Sequence, residues 1–526
     1  MSLGALLREA AAEAGHRQWL TTPRESRTFG QFWEEARAVA SALLDRGLCP
    51  GQRVGLFAGN GVEFLLGWFG TVLAGGVAVP VNSGFRAAEA RYVLAHAEAV
   101  AVFVDASTVE VMQEIRDQLP HVHTVVGIRT PDVPGLLTMD DLLRYDPLGV
   151  DDVYRPTPDD IASILYTSGT TGHPKGCLLG HEYYRIGANA VADQLQLTDA
   201  DVMLCVLPLF HMNAQVSSVT TSLTTRARLI LEDRFSASRF WSVVRQHSVT
   251  EFSYLGVIPA ALYKLPPDPA DRDNTLRVGF GAGIPADIHA AFEERFGIAM
   301  LEVFGMTETG MDLATRLVPD RKVGTRTVGT VVPGKHVRIV DDNGVEVPPG
   351  QVGHLQVHGP GLFRGYHNDP EATAQAFDGP WFRTGDLATR DADGWYYYVD
   401  RQKDIVRRAG ENISSVEVEA VLTDHPAVAS AAVVGVPDDV VGQEVKALLI
   451  LQDGYSATPE LFEDLLQHCA QRLAAFKVPR FLQVLSEFPR TGSQKIQKSE
   501  LRKRYGNAQD SYERTWRPDR RERVAP

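Results

Sequence analysis

The sequence predicts an α/β protein with two domains. Apolar strand-like runs alternate with helical runs through most of the chain, which predicts a large N-terminal domain of mostly parallel sheets flanked by helices. From about residue 325 short strands separated by turns predict a small β region. A polar stretch, 400–404, then precedes a shorter set of elements typical of a small α+β domain. We therefore predict domains at 1–400 and 401–526.

The first 160 residues begin the alternation of helices and strands. A helix is predicted from Thr28 to about Gly47, a strand over 53–58, and a buried strand over 100–104 that ends at Asp105. The same alternation returns after residue 200. Strands are predicted there at 202–207, 227–231, 252–257, 276–283 and 301–304, and a helix at 236–247. Such an order implies right-handed crossovers and parallel pairing.

One uncharged run, Phe64–Val81, is long enough to cross a membrane. It contains the glycine pair Gly75–Gly76, which ends a helix well, and a β-branched stretch, 77–81, follows that pair. A buried helix followed by a buried parallel strand explains the run without lipid. We therefore predict no membrane span.

The later elements are shorter. The β region is predicted to contain strands at 337–340, 353–357 and 395–399, and the C-terminal domain to contain helices at 416–422 and 461–473 with strands at 428–436 and 445–451. The tail, 510–526, mixes five arginines with four acids. It is interpreted as a solvated or weakly docked extension, and a basic binding arm is the alternative.

Composition excludes several functional classes. The 526 residues are 44% hydrophobic and 22% charged, with a net charge of −14. That is ordinary globular composition, and an acidic chain of this kind predicts no nucleic-acid partner. The four cysteines show no metal or redox spacing, so free thiols in a reducing cytoplasm are expected. The N-terminus lacks the charged-then-apolar order of a signal peptide.

The stretch Tyr166–Gly176 has the chemistry of a polyphosphate loop. It follows a predicted strand, 161–165, and holds three glycines, four serine or threonine hydroxyls and Lys175. Glycines let backbone N–H groups approach an anion, and the lysine adds a positive charge. The spacing is not that of a Walker loop, and a flexible surface loop is the alternative. The candidate phosphate-binding residues are Thr167, Ser168, Gly169, Thr170, Thr171, Gly172 and Lys175.

A second motif, 305–309, reads Gly-Met-Thr-Glu-Thr and follows a predicted strand. The carboxylate of Glu308 suits a hard cation that bridges phosphates, and the Thr307 hydroxyl could donate to a phosphate oxygen. The alternative is an ordinary helix N-cap made by Thr307 or Thr309.

Further candidates lie toward the C-terminus. Asp386 follows a glycine turn and could accept hydrogen bonds from ribose hydroxyls, with Arg401 as a second sugar ligand. Their alternatives are a turn aspartate and a solvated arginine. The stretch 407–413 could equally be a charged surface loop, and Lys495 could equally be a surface lysine.

Taken in this order, the motifs over residues 5–505 resemble those of the adenylate-forming superfamily of acyl-CoA synthetases, luciferases and peptide-synthetase adenylation domains. The stretch 475–479 resembles an element of its acyl-CoA ligase branch. The stretches 208–213 and 238–241 are similar to the crotonobetaine/carnitine-CoA ligase-like members. The resemblance implies that ATP, with Mg²⁺, activates a small carboxylic acid to an acyl-adenylate, which is then transferred to CoA. It also implies a mobile C-terminal domain, and we expect a monomer or homodimer.

The resemblance also assigns roles to residues. Lys495 would be the catalytic lysine, although Gln494 stands where the family usually has glycine, and Glu308 would hold the metal. Thr307 and His211 would assist catalysis, and Lys403 would be the hinge. The ATP site would add Gly281, Ala282, Gly283, Gly305, Met306, Asp386 and Arg401 to the phosphate loop; the acyl pocket would contain His211, Asn213, Tyr254, Val303 and Thr309; and CoA would meet Arg408, Gly410, Glu411 and Asn412.

Two alternatives to the CoA ligase function stay open at this point. Some homologues of these ligases use ATP and nitrite to diazotise an aryl amine, and the motifs do not exclude that reaction. A module that binds a nucleotide without turnover is the other alternative. The presence of both Lys495 and Glu308 argues against it.

Overall fold

The computed structural model describes residues 2–130, 136–167, 174–408, 411–438, 441–490 and 496–515. The chain divides into a larger and a smaller unit. The first unit contains 1–337, 357–382 and 394–396, and the second contains 338–356, 383–393 and 397–526. Both units combine helices with sheets, so the predicted α/β class, with a large N-terminal part and a smaller C-terminal part, is confirmed.

The helices of the described residues are α1 (Leu3–Ala14), α2 (Phe29–Asp45), α3 (Val62–Leu73), α4 (Ala87–His96), α5 (Val109–Ile115), α6 (Met139–Leu143), α7 (His181–Leu195), α8 (Thr221–Thr225), α9 (Ala237–His247), α10 (Val257–Tyr263), α11 (Ala286–Phe296), α12 (Pro370–Gln375), α13 (Ser415–Thr423), α14 (Pro459–Arg472) and α15 (Lys498–Tyr505). Four of them, α2, α9, α13 and α14, lie close to the positions predicted from sequence. A π-helical segment, Ala214–Thr220, precedes α8.

The strands of the first half are β1 (Gln18–Thr21), β2 (Ser26–Thr28), β3 (Arg53–Phe57), β4 (Val77–Pro80), β5 (Ala99–Asp105), β6 (Thr124–Ile128), β7 (Leu137–Thr138), β8 (Ile161–Thr167), β9 (Lys175–Gly180), β10 (Val202–Cys205), β11 (Arg228–Leu231), β12 (Glu251–Leu255), β13 (Val278–Ala282) and β14 (Ala299–Met306). Those of the second half are β15 (Gly310–Ala314), β16 (Thr327–Val331), β17 (His336–Val340), β18 (Gly353–His358), β19 (Phe377–Asp378), β20 (Trp381–Arg390), β21 (Tyr396–Arg401), β22 (Val406–Arg408), β23 (Glu411–Ile413), β24 (Val428–Asp438), β25 (Gly442–Leu451), β26 (Phe481–Val484) and β27 (Tyr512–Glu513).

The first unit contains a mostly parallel sheet with the order β7-β6-β5-β3-β4-β8-β9. Its pairs are parallel except the hairpin β8–β9, whose connection carries the predicted phosphate loop. Helix α3 and strand β4 occupy the uncharged run Phe64–Val81, and both are buried. The prediction of a buried helix followed by a buried parallel strand is therefore confirmed. Within the described ranges, no helix is both long and apolar enough to cross a membrane.

A second sheet of the first unit has the order β16-β15-β14-β13-β12-β10-β11-β1-β2. From β14 to β1 in this order the strands pair in parallel. At one end β15 and β16 continue the sheet in antiparallel fashion, and at the other end β2 pairs with β1 in antiparallel fashion. Ligands of such sheets bind where parallel strands end. The Gly281–Gly283 turn follows β13, and the 305–309 motif closes β14, so the order of strands brings these predicted ATP elements to neighbouring strand ends.

The strand prediction for 252–257 was wrong at its end. Strand β12 ends at Leu255, and Val257 begins α10. A β-branched residue favours a strand locally, but propensity is a weak local preference that tertiary context overrides. Gly256 permits the change of direction, since a Cβ there would lie 2.0 Å from the Gly283 carbonyl oxygen.

The second unit contains a sheet with the order β23-β22-β25-β26-β27, to which β24 adds by pairing with β25. Successive side chains of β24 point to opposite faces of this sheet, as the period of a strand requires. Val433 packs in a cluster with Leu465 of α14, whereas Ala432 and Val434 pack with Leu501 of α15. Helices therefore cover both faces, and the α+β prediction for this region is confirmed.

The stability of the first unit is expected to depend on the protonation of His181. This residue begins α7 and is buried, and its Nδ1 accepts a hydrogen bond from the Leu3 N–H. Burial lowers the pKa of His181 to about 4, because imidazolium loses hydration. The buried neutral imidazole therefore contributes to stability at pH values above its unfolded pKa, near 6.5, and this contribution is lost as pH falls toward the folded pKa. The free energy of unfolding should decrease by about 2 kcal/mol between pH 7 and pH 5.

The variant His181→Gln should remove this part of the pH dependence. Denaturant midpoints at pH 7 and pH 5 should differ less in the variant than in the wild type. The exposed His121 provides the matched control, and His121→Gln should behave as the wild type does. An unchanged pH dependence in His181→Gln would contradict the prediction.

Candidate active site

Glu308 lies in a tight turn between two strands. Strand β14 ends at Met306, β15 begins at Gly310, and Met306 and Gly310 are paired in antiparallel fashion. A Cβ at Gly305 would lie 2.0 Å from the Gly310 carbonyl oxygen, so the hairpin needs glycine there. Because a strand follows the motif, the alternative of a helix N-cap by Thr307 or Thr309 is wrong.

The carboxylate of Glu308 is buried beside an aromatic hydroxyl. Its Oε1 accepts a hydrogen bond of 3.0 Å from the hydroxyl of Tyr366, and the side chain is only 7% exposed. The Phe363 N–H donates to the Glu308 carbonyl oxygen at 2.7 Å. These contacts hold the 305–309 turn against the loop that contains Tyr366.

Lys175 approaches the same tyrosine from the phosphate-loop side. Its ammonium lies 4.9 Å from the centre of the Tyr366 ring, a cation–π distance. It begins β9 and is paired with Thr167 at the end of β8. Tyr366 therefore contacts both Lys175 and Glu308, and we call these three residues the phosphate cluster. The predicted loop residues Ser168, Gly169, Thr170, Thr171 and Gly172 lie outside the described residues.

The phosphate cluster fits a divalent cation held mainly by its substrate. Among the residues that the structure describes, no group of three or more His, Cys, Asp or Glu side chains forms a closed metal site. Mg²⁺ is usually bound through one or two protein carboxylates together with substrate phosphates and water. One buried carboxylate near a lysine suits that kind of site.

The Gly281–Gly283 turn is supported by buried polar contacts. The Glu302 carboxylate accepts hydrogen bonds from the N–H groups of Gly283 at 2.8 Å and Ile284 at 3.0 Å, and from the Tyr254 hydroxyl at 2.7 Å. Burial raises the pKa of Glu302, while these donors oppose the shift. A Cβ at Gly281 would lie 2.0 Å from the Tyr254 carbonyl oxygen. The turn is thus held in one conformation by side chains on β12 and β14.

This support makes a testable prediction about Glu302. The variant Glu302→Gln keeps the size of the side chain but turns an acceptor into a group that also carries N–H donors. Leaving buried N–H groups unpaired costs about 1–3 kcal/mol. We therefore expect the KM for ATP to rise about tenfold or more, measured by pyrophosphate release. The exposed Asp287 lies in the first turn of α11, so Asp287→Asn is the control. A folded Glu302→Gln protein with an unchanged KM for ATP would contradict the role.

The predicted acyl-pocket residues lie on several elements. His211 and Asn213 precede the π-helical segment Ala214–Thr220, and segments of that kind occur frequently at functional sites. The Asn213 Oδ1 atom is buried without a hydrogen-bond partner among the described residues, so it offers an acceptor to a ligand. Val303 lies on β14, opposite Ala314. Tyr254 is fully buried, with its hydroxyl already bound to Glu302.

In the second unit, the two predicted ribose ligands contact each other. Arg401 Nε lies 3.1 Å from Asp386 Oδ1, and the aspartate is 1% exposed. Gly385 before it has φ +73°, a conformation that favours glycine. Lys403, the predicted hinge, lies in a turn after β21, and the next residue, Asp404, pairs with Arg502 at 2.7 Å.

The predicted CoA residues are only partly described. The Arg408 guanidinium forms two hydrogen bonds, of 2.8 and 2.9 Å, with the Glu444 carboxylate. Glu411 is exposed and lies opposite Arg408 in the β22–β23 hairpin. Gly410 and Lys495 lie outside the described residues, as does the side chain of Asn412. The roles of these residues in CoA binding and catalysis stay predictions.

Sequence reasoning missed Tyr366, Glu302 and Glu444. Glu302 had a usable signal, because it is a single acid within an apolar strand, and a buried charge needs partners. Tyr366 and Glu444 lie 58 and 36 residues from the side chains they contact, Glu308 and Arg408. No local spacing marks contacts of that range.

Two family matches cover most of the chain. Residues 7–367 match the family described as AMP-binding enzyme, and residues 417–495 match the AMP-binding enzyme C-terminal domain. The crotonobetaine/carnitine–CoA ligase of Salmonella paratyphi A is 32% identical, over 90% of this chain and 93% of the relative. The sulfoacetate–CoA ligase of Cupriavidus necator is 33% identical, over 95% of this chain and 97% of the relative.

Solved structures of acyl-CoA ligases are similar over nearly the whole chain. The anthranilate CoA ligase AuaEII in complex with anthranoyl-AMP superposes with a TM-score of 0.88, at 28% identity and over 96% of this chain and 97% of that one. A benzoate CoA ligase from Burkholderia xenovorans LB400 gives a TM-score of 0.86, at 28% identity and over 95% of this chain and 100% of that one.

Proposed function

The chain belongs to the AMP-binding enzyme family and is an AMP-forming acid–CoA ligase, and we propose that the phosphate cluster and the Gly281–Gly283 turn, both in the first unit, take part in binding its ATP. The predicted resemblance is thereby confirmed, and the family implies ATP and CoA as substrates. The diazotisation alternative is not favoured, since the relatives and structures compared are named as CoA ligases. The observation that carries the site proposal is the contact of Tyr366 with both Glu308 and Lys175.

Activation by ATP gives the acid a good leaving group, AMP. A carboxylate is a poor electrophile, because the group expelled from it would be oxide. Attack of the carboxylate oxygen on the α-phosphorus of ATP forms an acyl-adenylate and releases pyrophosphate. The CoA thiol then attacks the acyl carbon, loses its proton, and expels AMP to leave the thioester. Catalysis of the first step is mostly positioning and stabilisation of charge on phosphate oxygens.

The phosphate cluster would supply part of that stabilisation. Lys175 would bind the phosphates as a compact cation, and Thr167 and Thr307 would donate hydrogen bonds to them. Glu308 would hold Mg²⁺, which neutralises negative charge on phosphate oxygens when it is bound. The Tyr366 hydroxyl would orient the Glu308 carboxylate. The catalytic role of Lys495, which lies outside the described residues, stays a prediction.

Further parts of the proposal concern the nucleoside, the acid and the thiol. Asp386 would accept hydrogen bonds from the ribose hydroxyls, with Arg401 holding the aspartate in place. The acyl roles of His211 and Asn213 stay predictions, and the buried Asn213 Oδ1 offers an acceptor to a ligand. The CoA roles of Arg408, Gly410, Glu411 and Asn412, a cytoplasmic location, and a monomeric or dimeric state stay predictions.

The acid itself is not specified by the family. The similar proteins are crotonobetaine/carnitine, sulfoacetate, anthranilate and benzoate CoA ligases, whose acids differ in size and charge. We propose a small-molecule carboxylic acid and derive its class from the walls of a cavity below.

A panel of carboxylic acids tests the function. Pyrophosphate release should require both ATP and the right acid, and a CoA thioester should form when CoA is added. A parallel arm replaces CoA with nitrite and an aryl amine and measures nitrite consumption. Thioester formation without nitrite consumption supports the proposal. Nitrite consumption without CoA consumption would identify the diazotising reaction instead.

A further inference from the structure

A cavity of about 290 Å³ lies within the first unit and extends inward from the surface. Helix α7 forms one wall, with Tyr183 and Ala190, and the start of β15 forms the other, with Gly310 and Met311. Lys335 and Val216 close it. We call this space the α7 cavity. None of the functions given above is assigned to it, apart from the predicted acyl role of Thr309.

The α7 cavity lies directly beside the 305–309 motif. Thr309 and Gly310 line it, and they follow Glu308 in the chain. Gly310 has φ +76°, and a Cβ there would lie 3.6 Å from the Tyr183 ring. Thr309, which lines the cavity, also belongs to the acyl pocket that the family resemblance implies. This position therefore argues for the acid as the occupant.

The charges around the cavity are already compensated. The Lys335 ammonium donates to the Thr309 carbonyl oxygen and lies 3.4 Å from Asp312 Oδ1. Burial lowers the pKa of Lys335, while Asp312 opposes that shift. At the rim, Asp193 is exposed and pairs with Arg316 at 3.2 Å. A second anion would compete with Asp312 for the lysine, and a cationic group would be repelled by it, so the cavity favours an uncharged occupant.

One polar atom in the wall lacks a protein partner. The Tyr183 side chain is 2% exposed, and its hydroxyl has no hydrogen-bond partner among the described residues. A buried polar group without a partner costs free energy, so a ligand that bonds with it gains affinity. The remaining walls are mostly apolar and include Ile186, Val216 and Met311.

The size of the cavity limits the occupant. An engineered cavity of about 150 Å³ in another protein is large enough to bind benzene. The α7 cavity, at about 290 Å³, has room for a substituted aromatic ring or a short branched chain. A long, straight alkyl chain would extend beyond the cavity.

Resting on the proposed ligase function, we propose that the α7 cavity receives the organic group of the acid. The substrate is then an aryl or short branched carboxylic acid whose organic group carries no charge and has a polar substituent that meets the Tyr183 hydroxyl. Tyr183, Ala190 and Lys335 determine this specificity. The proposed substrate differs from the charged acids for which the crotonobetaine/carnitine and sulfoacetate ligases are named.

Filling the cavity tests this proposal. Ala190→Leu places an isobutyl group on the wall, and Ala192→Leu makes the same change on α7 at a residue that does not line the cavity. Equilibrium binding of benzoate, hydroxybenzoates, a branched aliphatic acid and acetate is measured by calorimetry without ATP, and pyrophosphate release is measured in parallel. We expect Ala190→Leu to weaken binding of the aryl and branched acids at least tenfold and to leave acetate unchanged. Ala192→Leu should match the wild type.

Tyr183→Phe tests the polar contact separately. It should weaken the binding of hydroxybenzoates about tenfold relative to benzoate, because only the former lose a hydrogen bond. Equal binding of aryl acids by wild type and Ala190→Leu, or no binding of them by the folded wild type, would overturn the cavity proposal. Binding that responds to Ala190→Leu in a protein that releases no pyrophosphate would support the cavity and instead contradict the proposed function.

Discussion

Replacing Glu308 with glutamine is expected to slow pyrophosphate release by about 10²-fold or more. The amide keeps the shape of the side chain and can still accept the hydrogen bond from Tyr366. It lacks the negative charge that a hard cation on the phosphates requires. The loss should therefore appear in the rate of adenylation rather than in folding.

The measurement is pyrophosphate release over a series of Mg²⁺ concentrations. Glu371→Gln is the matched control, since Glu371 is exposed on α12, a few residues after Tyr366. Tyr366→Phe removes the hydroxyl donor but keeps the ring beside Lys175, and it should lose less activity than Glu308→Gln. A Glu308→Gln rate equal to that of the wild type at saturating Mg²⁺ would exclude Glu308 as the metal ligand.

The second large effect is expected at Lys495. We predict that Lys495→Ala slows adenylate formation by about 10²-fold or more, because the family resemblance implies that this lysine stabilises the charge that develops on the phosphates. The same variant should still convert a supplied acyl-adenylate and CoA into thioester. Lys503→Ala provides the control, since Lys503 is an exposed lysine of α15 whose Nζ contacts only Glu500 in the hydrogen bonds and ion pairs of the described residues.

The family resemblance implies that the same domain serves the second half-reaction in another orientation, turned at Lys403. Lys403 lies in the turn after β21, where proline would restrict φ to about −65°. Lys403→Pro should therefore preserve adenylation far better than thioester formation, the reverse of Lys495→Ala. The two half-reactions are assayed separately, with a folded state checked by circular dichroism. Equal loss of both half-reactions in each variant would contradict the division of labour.

Much of the fold could be predicted because its signals are local. The glycine pair at 75–76 separates α3 from β4, and the change from helical to strand periodicity is visible in the sequence at that point. The position of the 305–309 motif after an apolar run also identified Glu308 as a residue at a strand end. Whether a helix or a strand would follow was left open, because Thr307 and Thr309 suit an N-cap equally well.

The contacts that complete the candidate site could not be predicted in this way. The hydroxyl of Tyr366 donates a hydrogen bond to Glu308, 58 residues earlier in the chain. The carboxylate of Glu302, on the neighbouring strand of the sheet, accepts a hydrogen bond from the Gly283 N–H. Such contacts depend on which strands become neighbours and on their register. The α7 cavity is even harder to predict from sequence, because its walls come from several separate stretches of the chain and its volume depends on how those stretches pack.

The central claim, that the acid is activated as an acyl-adenylate, is tested most directly with a carboxylate labelled with ¹⁸O at both oxygens. The labelled acid, chosen from those of the panel that bind, is converted with ATP and CoA. The masses of the products are then measured by mass spectrometry. Attack of the carboxylate on the α-phosphorus predicts one ¹⁸O atom in AMP and the other in the thioester carbonyl. Unlabelled AMP, or label in inorganic phosphate with ADP as the nucleotide product, would contradict it.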